Sequence, residues 1–489
     1  MQLNISHEAV ALDEGEHRWT YRHLDEQANA LATLFKARGA KVIATLMGNS
    51  AAWVVADLAA ARAGVVHVPL PTFFTPEQIT HASTAAGVDT LLTVPPMARR
   101  WPRAPTTPCV VAGRSLTMLR LPRRPVPLPQ GTVKITFTSG TTGAPKGVCL
   151  SAEGLTTVAR GLVQATDPID IDRHLCALPF AVLLENVAGV MAPLMRGATC
   201  VTLPLSELGL SGSSTFDAAR FHSAIVEQQP HSVILLPQML RAWAGYLMRN
   251  GQRAPACLKL VAVGGAPVGA KLLRSARALG IPAYEGYGLS EGASVQTLNL
   301  PGADLAGSAG RVLPHSRVRV ASDGELEVSG SLFLGYLGEA AANDSPGIDW
   351  WPTGDLGHVD ADGFVHVDGR KKHVLITAFG RNVSPEWVET ALSSEQAIAQ
   401  AVVFGDGEPT LCAVLWPVAP YLSDQALQAA VDAANATLPD YARISRWQRA
   451  RADFSVLSGQ STINGRPQRT AILRLHAEAL GLTSPDALG

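Results

Sequence analysis

Short, apolar, β-branched runs recur along this chain with longer amphipathic stretches between them, and that alternation is the feature that most restricts its fold. The runs occupy residues 42–47, 66–70, 90–94, 199–203, 232–236 and 258–263. A strand buried on both faces reads as a continuous apolar run, and helical crossovers between such runs place parallel strands in one sheet. Residues 24–39 illustrate the intervening pattern: Leu24, Ala28, Leu31, Leu34 and Phe35 share one helical face, and Gly39 supplies the stop. From about Val312 the texture changes. Residues 317–320, 324–328 and 363–368 alternate apolar and polar positions between glycines, which predicts a β-rich subdomain. Beyond the charged cluster at 369–372 an apolar strand at 374–376 opens a smaller mixed α+β region. The expected class is α/β, with two parallel-type sheets and their helices in a large N-terminal part. The Pro- and Arg-rich stretch 99–124 reads as a surface excursion.

The 489 residues are 47% hydrophobic and 17% charged, which excludes disordered, collagenous and disulfide-stapled classes. Forty Lys and Arg against 41 Asp and Glu leave a formal net charge of -1, so no global field favours nucleic acid or an anionic membrane. Six cysteines, Cys109, Cys149, Cys176, Cys200, Cys257 and Cys412, include no C-x-x-C pair, the pattern of unpaired thiols filling cores in a reducing compartment. Mean hydropathy is slightly positive at +0.14. Yet Asp57, Arg62 and Glu185 interrupt the most apolar stretches, so no membrane span is expected. Residues 1–8 have no basic region before they reach an acid, and a cytoplasmic protein is the expectation.

Residues 135–148, ITFTSGTTGAPKGV, carry the strongest chemical signal. A strand-like entry meets a run of Thr, Ser and Gly and then Pro-Lys-Gly. Gly140 and Gly143 let backbone N–H groups approach an anion. The hydroxyls of Thr138, Ser139, Thr141 and Thr142 can donate to phosphate oxygens, and Lys146 supplies positive charge. The spacing is not that of the G-x-x-x-x-G-K-[ST] loop, so that helix geometry is not implied.

This segment closely resembles the T-S-G-T-T-G-x-P-K-G core of the adenylate-forming superfamily, which includes acyl-CoA and aryl-CoA ligases. The resemblance runs along nearly the whole chain: residues 19–32 and 62–70 are similar to two early signatures, and 284–291, YEGYGLSE, is similar to Y-G-x-T-E with Ser290 in place of threonine. It implies ATP and Mg²⁺ as cofactors, and sites follow residue by residue. Gly264, Gly265 and Ala266 would lie along adenine, Tyr287 would stack on the ring, and Glu285, Gly286 and Gly288 would belong to the ATP site. Ser290 would donate to the α-phosphate, and Glu291 with Thr138 would hold the metal. In WPTGDLG at 351–357, Asp355 would accept from the ribose hydroxyls, with Arg370 reaching the same sugar. Lys372 would be a hinge between a nucleotide and acyl domain at 1–371 and a small mobile cap at 373–489. His373 follows it where an acid is usual, and a solvated side chain is expected there. Gly380 would let backbone approach a pantetheine thiol. The segment 378–389 and LPFAVLLE at 178–185 are closest to the fatty acyl-CoA ligase branch, with Val182 replacing a histidine.

The largest departure is at 461–469, STINGRPQR, similar to N-G-K-x-x-R, where Arg466 stands for the lysine that bridges substrate carboxylate and α-phosphate. The resemblance therefore assigns catalysis to Arg466, Glu291 and Lys146. Arg443, Arg446, Arg449, Arg451 and Arg469 make a basic stretch able to meet a CoA phosphate or an acidic carrier protein.

The implied function is activation of a small carboxylic acid as acyl-AMP with release of pyrophosphate, then transfer to a thiol of CoA. The alternatives are transfer to the phosphopantetheine arm of an acyl carrier protein or to an amine, and a degenerate binding protein without turnover. Residues 180–184 offer no carboxylate to pair an ammonium group, and Val182, Leu183, Leu184, Leu236, Met239, Val263 and Leu289 are candidate lining for a fatty or aryl acid.

Overall fold

The computed structural model describes residues 7–122, 124–138, 145–211, 215–339, 349–379, 381–462 and 466–482. Two large sheets form the N-terminal part. In one, the strands Leu260–Val263, Ser232–Leu235, Arg173–Leu175, Thr199–Val201 and Val10–Asp13 lie side by side and pair in parallel. Ala283–Leu289 continues it in parallel, then pairs antiparallel with Ser294–Leu298. In the other, Thr132–Thr138, Val66–Pro69, Val42–Leu46 and Thr90–Thr93 are parallel neighbours. The apolar runs thus occupy sheet centres, as their continuous hydrophobicity requires, and the added edge strands are antiparallel.

One such edge corrects the reading of residues 99–124. Thr106–Val111 and Arg114–Arg120 form a hairpin on Thr90–Thr93, turned by Ala112 and Gly113, both at positive φ. Leu116 and Met118 point to one core and Leu119 to another, a short pattern hidden among the flanking prolines and arginines.

The helix Tyr21–Ala37 buries Leu24, Ala28, Leu31 and Phe35 and is capped by Thr20. Its partner Ala51–Ala63 is apolar almost all round and buries Trp53, Val54 and Val55 in the same core. Asp57, on that helix, meets a buried polar cluster. Lys134 Nζ lies 2.8 Å from its Oδ1, His67 Nδ1 lies 2.6 Å away, and Asn186 donates at 3.1 Å. Burial alone would raise the Asp57 pKa, but Lys134 and His67 carry it well below the usual range.

The β-rich subdomain is an antiparallel sheet of Ser316–Val320, Glu325–Gly330, Trp351–Val359 and Val365–Arg370. The C-terminal domain packs helices Pro385–Ser393, Asp424–Asn435 and Arg469–Leu480 with the strands Ile398–Phe404, Leu411–Pro417 and Ile444–Arg449. Arg241 of the N-terminal part donates to Ser393 O and, at 3.0 Å, to Ile398 O, and Lys271 pairs with Glu395 at 2.7 Å. Among the described residues no helix is long and apolar enough to cross a membrane, and the six cysteines are unpaired, four of them buried.

Candidate active site

The C-terminal ends of Ser232–Leu235 and Leu260–Val263, the hairpin of Thr132–Thr138 and Lys146–Ser151, the β-rich sheet and the C-terminal domain border one cleft of about 1820 Å³. Parallel strands present their carboxyl ends on one side, so the loops that follow them converge there. Leu260–Val263 leads into Gly264, Gly265 and Ala266, all on the cleft wall. A Cβ at Gly264 would stand 3.1 Å from Gly286 O, and Gly265 has φ +86°. Glycine is what lets these two backbones close on each other and leave a flat slot.

Beside the slot, Tyr287 Oη donates to Asp355 Oδ2 at 2.7 Å, and Arg370 Nε lies 2.7 Å from Asp355 Oδ1. Register places this ion pair, since Asp355 and Arg370 are direct cross-strand neighbours. Thr353 Oγ1 accepts from Asp355 N at 3.0 Å and donates to Leu326 O at 2.7 Å, fixing the turn that carries the carboxylate. Burial raises the Asp355 pKa, opposed by Arg370 and Tyr287.

A second group lies across the cleft. Tyr336 Oη donates to Glu291 Oε1 at 2.8 Å. Lys146 Nζ sits 5.0 Å from the Tyr336 ring centroid and 3.8 Å from Glu339 Oε1. Thr138 and Lys146 face each other at the end of their hairpin, and Ser290 borders the same space. Ser139, Gly140, Thr141, Thr142 and Gly143, which connect Thr138 to the lysine strand, lie outside the described residues, as does Gly380. Arg466 reaches in from the C-terminal domain. It lines the cleft and is exposed to solvent; desolvation and then the Arg370 charge lower its pKa, while Asp355, Glu291 and Tyr287 oppose. Val182, Leu183, Leu236, Met239, Val263 and Leu289 line the apolar part of the same cleft.

A family model described as AMP-binding enzyme matches residues 2–337, and one described as AMP-binding enzyme C-terminal domain matches residues 372–480. The chain belongs to the adenylate-forming, AMP-binding enzyme family. Among curated relatives, the long-chain-fatty-acid–CoA ligase FadD15 of Mycobacterium bovis is 44% identical over 31% of this chain, a match that spans 26% of the ligase. Feruloyl-CoA synthase of an Amycolatopsis species is 30% identical over 83% of this chain and 84% of its own. The fold is that of the anthranilate CoA ligase AuaEII, solved with anthranoyl-AMP (TM-score 0.80, 19% identity, 97% of this chain and 95% of that one). It is also that of Bacillus subtilis o-succinylbenzoate CoA synthetase, solved with its acyl-adenylate (TM-score 0.76, 22% identity, 95% of each chain).

In this member of the AMP-binding enzyme family, four side chains behave differently from their sequence expectation. His373 is paired rather than simply solvated: its Nδ1 lies 2.5 Å from Glu386 Oε1 on a partly exposed side chain. Arg469 is not available to an anion, because it holds Glu389 through two nitrogens at 2.5 and 2.8 Å and also meets Glu386. Arg446 and Arg449 are likewise paired, with Glu408 and Asp424. The basic stretch is thus largely spent within the C-terminal domain. Lys372 is exposed on the cleft rim, while its neighbour Lys371 pairs with Asp323 and Glu325.

Tyr336 and Thr353 were missed by motif reading. Thr353 stands inside the quoted WPTGDLG run, and its hydroxyl was the available signal; Tyr336 is brought to Glu291 only by the strand Gly335–Tyr336 pairing with Lys146–Ser151.

Glu285 is a cleft residue that is 9% exposed. Its Oε1 accepts from Val268 N at 3.0 Å, and Oε2 has no partner among the described residues. Burial pushes its pKa up to about 7. A raised carboxyl pKa means that folding favours the protonated form, so stability is full below the ordinary pKa and falls as pH rises through about 7. Glu285→Gln keeps an acceptor for Val268 and cannot ionise. Thermal melts should coincide with wild type at pH 4 and favour the variant at pH 8, by up to about 3 kcal/mol. Equal melts at both pH values would show that the carboxyl is not desolvated.

Proposed function

We propose that the protein is an AMP-forming acid–thiol ligase that activates a fatty or aryl carboxylic acid and passes the acyl group to CoA. The observation that carries this reading is that Arg466, the Tyr287–Asp355–Arg370 set, Glu291 and an apolar wall all line one cleft. A carboxylate is a poor electrophile because oxide would have to leave. Attack of its oxygen on the α-phosphorus of ATP expels pyrophosphate and forms a mixed anhydride. The thiol sulfur then attacks the acyl carbon, AMP departs with the bonding pair, and the thiol proton goes to solvent. The protein's part is positioning and charge compensation.

The flat slot at Gly264 and Gly286 takes the adenine, with Tyr287 against it. Asp355, held by Arg370, accepts from the ribose hydroxyls. Arg466 draws the substrate carboxylate and the α-phosphate together through its fork. Glu291, one of whose oxygens Tyr336 fixes, and the Thr138 hydroxyl are hard oxygen donors of the type magnesium prefers. Bound there, the ion would offset charge on the nucleotide phosphates. In keeping with this, the B. subtilis synthetase has also been solved with ATP and magnesium ion. The apolar wall of Leu183, Leu236, Met239 and Val263 favours a fatty or aryl acid over an amino acid, and the relatives' names, CoA ligase and CoA synthase, support CoA as acceptor.

ATP–pyrophosphate exchange over a panel of fatty and aryl acids tests the first half. Exchange with at least one acid is expected, and retained ATP binding without exchange for any acid would overturn the ligase reading. Adding CoA, or a phosphopantetheinylated carrier protein, to the competent acid tests the second half; thioester formation on the carrier alone would replace CoA.

A further inference from the structure

At the wall of the cleft, three buried side chains of different chemistry, none of them given a role above, converge. His174 comes from the strand Arg173–Leu175, Cys176 follows that strand, and Glu185 opens the π-helical turn Glu185–Met191. One imidazole nitrogen, the thiol sulfur and one carboxylate oxygen all lie within 4.8 Å of one another. Glu185 is 0% exposed and His174 3% exposed. Among the described residues, His174 Nε2 and both Glu185 oxygens have no hydrogen-bond partner. A buried carboxylate whose nearest cationic partner, His174 Nε2, stands at 3.8 Å is poorly compensated.

We propose that His174, Cys176 and Glu185 form a buried site for a borderline divalent cation, with Zn²⁺ as the best fit. Imidazole, thiolate and carboxylate are the ligand types zinc takes, and one dication with a thiolate, a carboxylate and a neutral imidazole is charge-balanced. His174 Nε2 and Glu185 Oε1 are 3.8 Å apart. That is close to the roughly 3.4 Å between nitrogen and oxygen ligands on a tetrahedral zinc ion. The second nitrogen of His174, Nδ1, lies 2.8 Å from Ser232 Oγ, the kind of outer contact that orients a metal-ligating imidazole. Gly189 keeps the space open: a Cβ there would stand 2.6 Å from Glu185 Oε1 and 3.0 Å from His174 Nε2. His174 and Ser232 border the cleft, which gives an ion a route in. Binding forms one nitrogen, one sulfur and one oxygen bond to the metal and releases the Cys176 proton to buffer. The ion would tie the end of the strand to the segment carrying Val182 and Leu183.

Full-length protein stripped with chelator and then titrated with Co²⁺ provides the test. Wild type should take up cobalt with a sulfur-to-cobalt charge-transfer band in the near ultraviolet, and Zn²⁺ should displace it. Cobalt held by oxygen donors elsewhere produces no such band. Cys176→Ser should lose the band, and Glu185→Gln should weaken uptake at least about tenfold. Wild-type protein without the band, or a Cys176→Ser variant that keeps it, would overturn the site; the first outcome needs no variant to fold.

Discussion

Arg466→Ala lowers acid-dependent ATP–pyrophosphate exchange by about 10²–10³ in kcat, the scale for removing one charge-stabilising donor from a reacting centre. The KM for ATP should change much less. On the proposed reading, adenine and ribose would be held by groups on the N-terminal part, around the linked Tyr287, Asp355 and Arg370, whereas the guanidinium would act on charge that develops when carboxylate and phosphate meet. Arg466→Lys is the informative companion. It keeps the charge, shortens the reach and drops the fork, so exchange should be preserved or raised if the position serves as a simple cation. Loss equal to that of the alanine variant would show a site rebuilt around bidentate geometry.

Glu291→Ala is expected to abolish measurable exchange. The variant removes the carboxylate that accepts a hydrogen bond from the Tyr336 hydroxyl at 2.8 Å. Loss of a metal's charge compensation, several kcal/mol, is another 10²–10³ or more. Raising magnesium should leave the variant inactive but restore part of the activity to Glu291→Asp, whose carboxylate is one methylene short. Full exchange in Glu291→Ala would remove the metal assignment. It would leave Tyr336 as the residue whose hydroxyl matters at that wall.

Much of this molecule is legible in its sequence because continuous apolar runs and glycine punctuation are local properties. The strands around Val42, Val66, Ser232 and Leu260 follow from composition alone, and the helix of Leu24 to Phe35 from its period. Asp355 and Arg370 are both named by motif, as residues reaching one sugar; that they pair with each other comes from the antiparallel register that joins them. What stayed hidden depends on long-range placement. His373 looks like one more solvated charge until the helix Pro385–Ser393 brings Glu386 to it. Arg469 looks free until the same helix brings Glu389. The hairpin within 99–124 is masked because its buried residues alternate with Arg and Thr on an edge. His174, Cys176 and Glu185 share a space only because a loop and a π-helical turn fold Glu185 back on the strand end.

The buried quartet of Asp57, His67, Lys134 and Asn186 bears on how such a chain can change over generations. Removing one partner of a buried ion pair strands the other's charge and costs about 3–5 kcal/mol, whereas replacing the pair with apolar side chains of similar volume is often neutral. Asp57 and Lys134 sit on different elements, 77 positions apart. Single-step paths away from this arrangement are therefore closed while two-step paths are open. The two positions should drift together, as a linked pair whose substitutions are each other's permission. Since Lys134 belongs to the strand that ends at Thr138, that linkage also shields the approach to the phosphate loop from gradual erosion.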